Sequence, residues 1–228
     1  MKPIARVLAL AATTLFLTAA APRTMVWNNT VALTSEGGHL IGNPDAKVQL
    51  VEYVSYTCLE CRKFTIQSDG ALQIGYVAPG RLSIEVRHLV QNPVDQVAAM
   101  LADCGPPERF ALNHAALMRS QDRWLAIFER ASSAQKQRWS YGTLLTRGRA
   151  VAEDMGFYRI MESRGFDRSA TDACLGDAEL AKRIGAQGKA GYAAGVKMAP
   201  SFMINGTLID NAHDWDALRP EIDARFKP

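Results

Sequence analysis

The sequence predicts an α/β protein in which a small unit of strands and helices is interrupted by a long helical insertion. Three observations carry that expectation. Two runs of strand character, residues 47–54 and 82–88, flank a helical stretch. Residues 94–194 then read as helical throughout. After them the chain returns to strand character with a tight hairpin and a closing helix.

Taken in order, Lys2 and Arg6 form a basic start, and Leu8 to Leu17 is an apolar run broken only by Thr13 and Thr14. Thr18-Ala19-Ala20-Ala21 follows, the small residues a signal peptidase needs, so residues 1–20 read as a signal peptide cleaved after Ala20. The apolar run is shorter than the about 20 residues of a membrane span. No cysteine follows it to carry a lipid anchor. Residues 21–38 are polar and unpatterned, a flexible lead-in. Gly42-Asn43-Pro44-Asp45 is a turn cluster. Lys47 to Val54 ends almost wholly apolar, as a buried central strand does. A helix is expected from Cys58 to about Leu72, with Phe64, Ile66 and Leu72 among its apolar positions, and Pro79-Gly80 marks a turn. Leu82 to His88 alternates cleanly as a second strand.

Within the helical block, Val97, Met100 and Leu101 begin one periodic stretch, and Phe110, Leu112, Leu117 and Met118 form another after Gly105-Pro106-Pro107. Trp124, Leu125 and Phe128 come next, then Leu144 to Met155 and Ala178 to Ala194. Ser201 to Ile204 and Thr207 to Ile209 are strands joined by Asn205-Gly206, a two-residue hairpin signal. Asp214 caps a last helix carrying Trp215, Leu218 and Ile222.

Composition narrows the function. The 228 residues are 48% hydrophobic, enough for one domain with a real core or one carrying an insertion. The formal charge is +3, and two of the positive residues are Lys2 and Arg6, so the remainder is nearly neutral and shows no electrostatic footprint for nucleic acid. The basic segment 119–149 reads as a solvated helical face.

Four cysteines are present: Cys58, Cys61, Cys104 and Cys174. Cys58 and Cys61 stand where a buried strand turns into a helix. A thiol at the first turn of a helix faces unpaired backbone N–H groups and the positive end of the dipole, and both favour the thiolate, which is the nucleophile. Three-residue spacing brings the second sulfur onto the same helix face, close enough for a disulfide. Cys58 is therefore the expected nucleophile and Cys61 the resolving thiol. Cys104 and Cys174 lie in the helical block. In an exported protein they read as a structural disulfide, the alternative being two buried free thiols.

One close pair is too few for a zinc site, and Arg62, not histidine, follows Cys61, which excludes a c-type haem. No metal and no cofactor is expected. The four histidines, His39, His88, His114 and His213, are scattered along the chain and read as structural or exposed. Of these, His114, on a helix near Cys104, is the one candidate for a functional role.

Ile41-Gly42-Asn43-Pro44-Asp45-Ala46, Val51-Glu52-Tyr53-Val54-Ser55-Tyr56-Thr57-Cys58-Leu59-Glu60-Cys61 and Gly195-Val196-Lys197-Met198-Ala199-Pro200-Ser201-Phe202-Met203-Ile204-Asn205-Gly206 together resemble the DsbA family of thioredoxin-fold proteins. The resemblance implies a thioredoxin fold formed by residues 39–93 and 195–228, with 94–194 as the inserted helical domain. It implies that Pro200 is a cis-proline facing the two sulfurs, with Ala199 and Pro200 contacting substrate, and that Glu52 is the buried acid beneath Cys61, placed to exchange protons with it. Apolar neighbours on both sides of Glu52 agree with burial.

The implied activity is that of an exported, periplasmic thiol–disulfide oxidoreductase that oxidises client thiols, with a membrane redox partner. A disulfide isomerase or reductase, or a peptide-binding chaperone on the same scaffold, is the alternative. A monomer is expected, since the stretch between Ala20 and His39 is too short for a dimerisation domain. The sequence departs from the family in having Leu59 and Glu60 between the cysteines and Ala199 before the proline. Glu60 sets a negative charge beside the Cys58 thiolate and should oppose the lowering of its pKa.

Overall fold

A computed structural model describes residues 26–227. The expected signal peptide, residues 1–20, lies outside the described residues. The strands are β1 (Val31–Leu33), β2 (His39–Gly42), β3 (Val48–Val54), β4 (Leu82–His88), β5 (Ser201–Ile204) and β6 (Thr207–Ile209). They form one sheet in the order β1-β2-β4-β3-β5-β6.

β3 is the central strand. It runs parallel to β4, with Val48 opposite Leu82 and Val54 opposite His88, and antiparallel to β5, with Tyr53 opposite Ser201. Its parallel neighbour requires a crossover, which α1 (Leu59–Leu72) supplies. Alternation along β3 sends Leu50, Glu52 and Val54 to the α1 side and Val51 and Tyr53 to the other. Phe64 of α1 packs on Phe202 of β5 and on Trp215 of the last helix, α10 (Trp215–Ala224), which Asp214 caps through the Ala217 N–H. On the far face, α9 (Ala178–Ala193) comes so close to β3 that a Cβ at Gly191 would sit 2.7 Å from the Tyr53 ring. Only glycine permits that approach.

Between β4 and β5 run eight helices: α2 (Pro93–Ala102), α3 (Phe110–Arg119), α4 (Gln121–Glu129), α5 (Ser133–Ser140), α6 (Leu144–Asp154), α7 (Phe157–Ser163), α8 (Arg168–Leu175) and α9. Side-chain caps start most of them: Asn92 for α2, Ser132 with Gln135 as a capping box for α5, Thr143 for α6, Asp167 for α8 and Asp177 for α9. Their apolar faces join the α1 side of the sheet in one continuous core, from Leu50 and Phe64 to Met100, Trp124 and Phe157.

The structure corrects three local expectations. The lead-in is ordered where it is described: Trp27–Asn29 forms a 3-10 turn and β1 pairs with β2, Val31 opposite Ile41. The two strands are three and four residues long, too short to show alternation, and their register comes from the turn between them. There Thr34 N–H donates to the Gly38 carbonyl, Gly38 N–H donates to Thr34 Oγ1, and Gly37 takes a φ of 84° that favours glycine. Ile66 and Leu112, named among the apolar positions of their helical stretches, are exposed.

Cys104 and Cys174 are joined in a disulfide that ties the segment after α2 to α8. The bond closes a loop of 70 residues, for which chain entropy gives up to ~4 kcal/mol of stabilisation. Replacing both cysteines with alanine should lower stability by a few kcal/mol in urea denaturation. An unchanged midpoint would show that the bond does not hold the insertion together.

Candidate functional site

β3 ends at Val54, and Ser55-Tyr56-Thr57 carries the chain to Cys58, which is the N-cap of α1. Cys58 keeps an extended conformation, φ −87° and ψ 117°, while the residues after it are helical. Its Sγ accepts the backbone N–H of Cys61 at 3.1 Å, so sulfur does here what a serine or aspartate oxygen does at an ordinary N-cap. Cys58 is half-buried and Cys61 fully buried.

The two thiols are driven apart by their surroundings. A hydrogen bond from the Cys61 side chain is the largest influence on Cys58, and with the N–H groups of Cys61 and Glu60 it lowers the Cys58 pKa below the usual thiol range. Burial opposes this, and so, more weakly, does the charge of Glu60. Glu60 is exposed and held by Lys63 Nζ at 2.7 Å, so the carboxylate between the cysteines is paired and solvated. Burial pushes the Cys61 thiol well above its usual range, and its hydrogen bond to Cys58 adds to that.

Pro200 follows a cis Ala199–Pro200 bond immediately before β5. Because β5 pairs with β3, this bend arrives beside the start of α1, and the Cys58 sulfur lies 3.2 Å from the Ala199 carbonyl oxygen. His213 Nδ1 lies 2.8 Å from the Pro200 carbonyl oxygen, and Ser201 Oγ donates to the Met198 carbonyl. Leu59 and Met198 present exposed apolar side chains on the two segments that meet at Cys58.

Glu52 is on the α1 face of β3, 6% exposed, and its Oε1 accepts no hydrogen bond. Burial first, then the negative charges of Cys58 and Asp69, raises its pKa to about 8. The structure thus brings together Cys58, Cys61, Ala199 and Pro200, with Glu52 on the strand below them, and leaves Cys104 and Cys174 in their own disulfide.

The histidines are not all scattered in space. His39, His88 and His114 converge in one buried cluster with Asp103, Tyr56 and Phe110. His88 Nε2 is 2.8 Å from Asp103 Oδ1, His114 Nδ1 is 2.9 Å from Tyr56 Oη, and Phe110 stacks on His39 with ring centroids 4.0 Å apart. Burial lowers the pKa of His39 to about 4 and of His114 to about 3, so both are neutral packing groups at pH 7. Among the described residues no three His, Cys, Asp or Glu side chains are placed to hold a metal, and no helix is long and apolar enough to cross a membrane.

Sequence reasoning passed over Asp95 and Gln121, two buried side chains of the insertion that reach the Cys58 loop. Asn92-Pro93 announces a helix start, with Asp95 in its first turn, but nothing in the sequence says what Asp95 binds. Gln121 carries no signal at all.

Comparison with known proteins agrees with this geometry. A chain 48% identical, the protein-disulfide isomerase from Novosphingobium aromaticivorans, superposes with a TM-score of 0.80, covering 84% of this chain and 98% of that one. Wolbachia pipientis alpha-DsbA1 superposes with a TM-score of 0.66 over 84% of this chain and 92% of its own, at 19% identity, and so shares the fold. A Rickettsia bellii protein, provisionally named a protein-disulfide oxidoreductase, is 30% identical over 90 residues, 39% of this chain. That match spans only about a third, 35%, of the Rickettsia protein's length. The architecture is a thioredoxin fold with an inserted helical domain. With the thioredoxin family model matching residues 34–224, the chain belongs to the thioredoxin family.

Proposed function

We propose that the chain is a protein thiol–disulfide oxidoreductase that oxidises the thiols of client proteins through a Cys58–Cys61 disulfide. The observation that carries this reading is the Cys58 sulfur acting as the N-cap of α1, lowered in pKa, above a buried Cys61 raised in pKa. In the oxidised pair a client thiolate attacks Cys58 Sγ. The Cys58–Cys61 bond breaks, its electron pair goes to Cys61, and Cys61 takes a proton, for which Glu52 is the nearest buried acid. A second client thiolate then attacks the client sulfur of the mixed disulfide, and Cys58 leaves as a thiolate that its cap stabilises. The client gains a disulfide, and the two electrons remain on Cys58 and Cys61. A membrane-bound redox partner would remove them.

An extended client segment fits beside Ala199 and Pro200. Next to them Gly195, Val196, Met198, Leu208 and His213 line an open cavity of about 450 Å³. Export to an oxidising compartment such as the periplasm is supported by the basic, apolar and small-residue pattern of residues 1–20 and by the Cys104–Cys174 disulfide. We read the working unit as a monomer, which sedimentation would test.

A second reading, isomerisation, draws on the 48% identity to the Novosphingobium protein-disulfide isomerase. Refolding separates the two. The oxidised protein should introduce disulfides into a reduced substrate stoichiometrically, and Cys61→Ser should accumulate Cys58-linked mixed disulfides. Efficient unscrambling of a mis-paired substrate with little oxidation of a reduced one would favour isomerisation. Absence of any trapped adduct would remove the redox reading.

Glu52 makes a separate prediction. Its folded pKa, about 8, is above the unfolded value of 4.5, so its contribution to stability is complete below about pH 4.5 and is lost as pH rises through 8. In the reduced protein, Glu52→Gln should therefore gain stability relative to the native chain between pH 5 and pH 8, by roughly 3–4 kcal/mol. Urea denaturation at the two pH values checks this. An equal effect at both would mean that Glu52 is ionised throughout.

A further inference from the structure

The segment that delivers Cys58 to the start of α1, Ser55-Tyr56-Thr57, belongs to neither a strand nor a helix. Within it the Cys58 N–H closes a turn on the Ser55 carbonyl at 3.3 Å, but Thr57 N–H and the Tyr56 carbonyl have no ladder or helix to pair with, and the segment is largely buried. Two side chains from the helical insertion take them. Asp95, in the first turn of α2, is 1% exposed. Its Oδ1 accepts the Thr57 backbone N–H at 2.7 Å and the Thr57 hydroxyl at 2.9 Å, and the Ser55 hydroxyl donates to both carboxylate oxygens, at 3.0 and 2.9 Å. Gln91 N–H at 3.0 Å and Asn92 Nδ2 at 3.4 Å complete the Oδ2 side, and Asn92 Nδ2 also donates to Thr57 Oγ1. Gln121, the first residue of α4, is fully buried. Its Nε2 donates to the Tyr56 carbonyl at 2.7 Å and to the Cys58 carbonyl at 2.9 Å.

The two grips are complementary. Asp95 is an acceptor and takes the N–H of Thr57, while Gln121 is a donor and takes the carbonyls on either side of it. Together they hold the Tyr56–Thr57 peptide plane at both its edges, and Gln121 also holds the plane that leaves Cys58. Cys58 must stay extended while Glu60 and Cys61 are helical, because only then does its sulfur lie under the Cys61 N–H. We infer that Asp95 and Gln121 are positioning residues for Cys58: the helical insertion clamps the loop before the nucleophile and so holds its sulfur in the N-cap geometry. This rests on the reading of Cys58 as the attacking thiol, and it gives the insertion a part in setting the reactivity of that thiol.

The sign of the effect distinguishes positioning from simple electrostatics. Asp95→Asn removes a buried negative charge, which by field alone would lower the Cys58 pKa. If Asp95 acts by holding the loop, the asparagine's NH₂ group faces donors, the loop shifts, the cap bond lengthens and the Cys58 pKa rises. Gln121→Met keeps the length of the side chain and deletes both donated bonds without changing charge. The experiment is the pH dependence of iodoacetamide alkylation of Cys58 in the full chain, reduced at Cys58 and Cys61 with Cys104–Cys174 intact, each variant's fold being verified by circular dichroism.

Both variants are expected to raise the Cys58 pKa by about half a unit to one unit, a roughly three- to tenfold smaller thiolate fraction below the pKa. A folded variant with an unchanged or lowered pKa would overturn the inference. In the native chain, without any substitution, the Thr57 amide should exchange with solvent as slowly as the amides of β3, and rapid exchange would also overturn it. An ordinary pKa for Cys58 in the native chain would instead be a failure of the proposed function.

Discussion

The hydrogen bond from the Cys61 amide to the Cys58 sulfur, 3.1 Å long at the first turn of α1, is the contact on which the rest of the site depends. A helix leaves its first N–H groups without partners, and something must accept them. Here the acceptor is a sulfur atom, and a thiolate accepts far better than a thiol. Satisfying the helix and stabilising the ionised nucleophile are therefore one event. The sheet supplies the means: β3, central and buried, ends three residues before Cys58, and the segment leading into β5 brings the Ala199 carbonyl against the same sulfur.

Below this contact the environment turns dry. Cys61 and Glu52 share the α1 side of β3, and burial disfavours the charged form of each. The site is thus asymmetric over a few ångströms, with an ionised sulfur favoured at the rim and neutral groups favoured beneath it. Such a gradient favours the proton on Cys61 or Glu52 over Cys58. Glu60 does little to disturb it, because its carboxylate points to solvent and is engaged by Lys63.

Local signals in the sequence were enough for the parts of the fold that are locally determined. The strand at 82–88, the Asn205-Gly206 hairpin and the Asp214 cap all appear in place, although β4 is buried on both faces and its sequence alternation of apolar and polar residues is not matched by exposure. The close cysteine pair and the two motifs around it were readable for the same reason. β1 and β2 escaped because strands of three and four residues have no period to detect. The histidine cluster escaped because His39, His88 and His114 are far apart in the chain, and meet only when β2 pairs with β4 and α3 closes over them. Gln121 escaped for a related reason, since a buried amide gripping two carbonyls 63 and 65 residues away leaves no local trace.

The energetic consequence of a capped thiolate is a reduced form more stable than that of an ordinary dithiol, and hence an oxidising couple. Equilibrium titration of Cys58–Cys61 against glutathione measures this directly. Thioredoxin-fold couples range from about −270 mV for reductants to about −120 mV for strong oxidants. A potential above about −200 mV is expected here, with the reduced form favoured over the disulfide in a glutathione buffer. A value at or below about −250 mV would mean that the cap does not stabilise the Cys58 thiolate enough to drive oxidation, and would contradict the central claim.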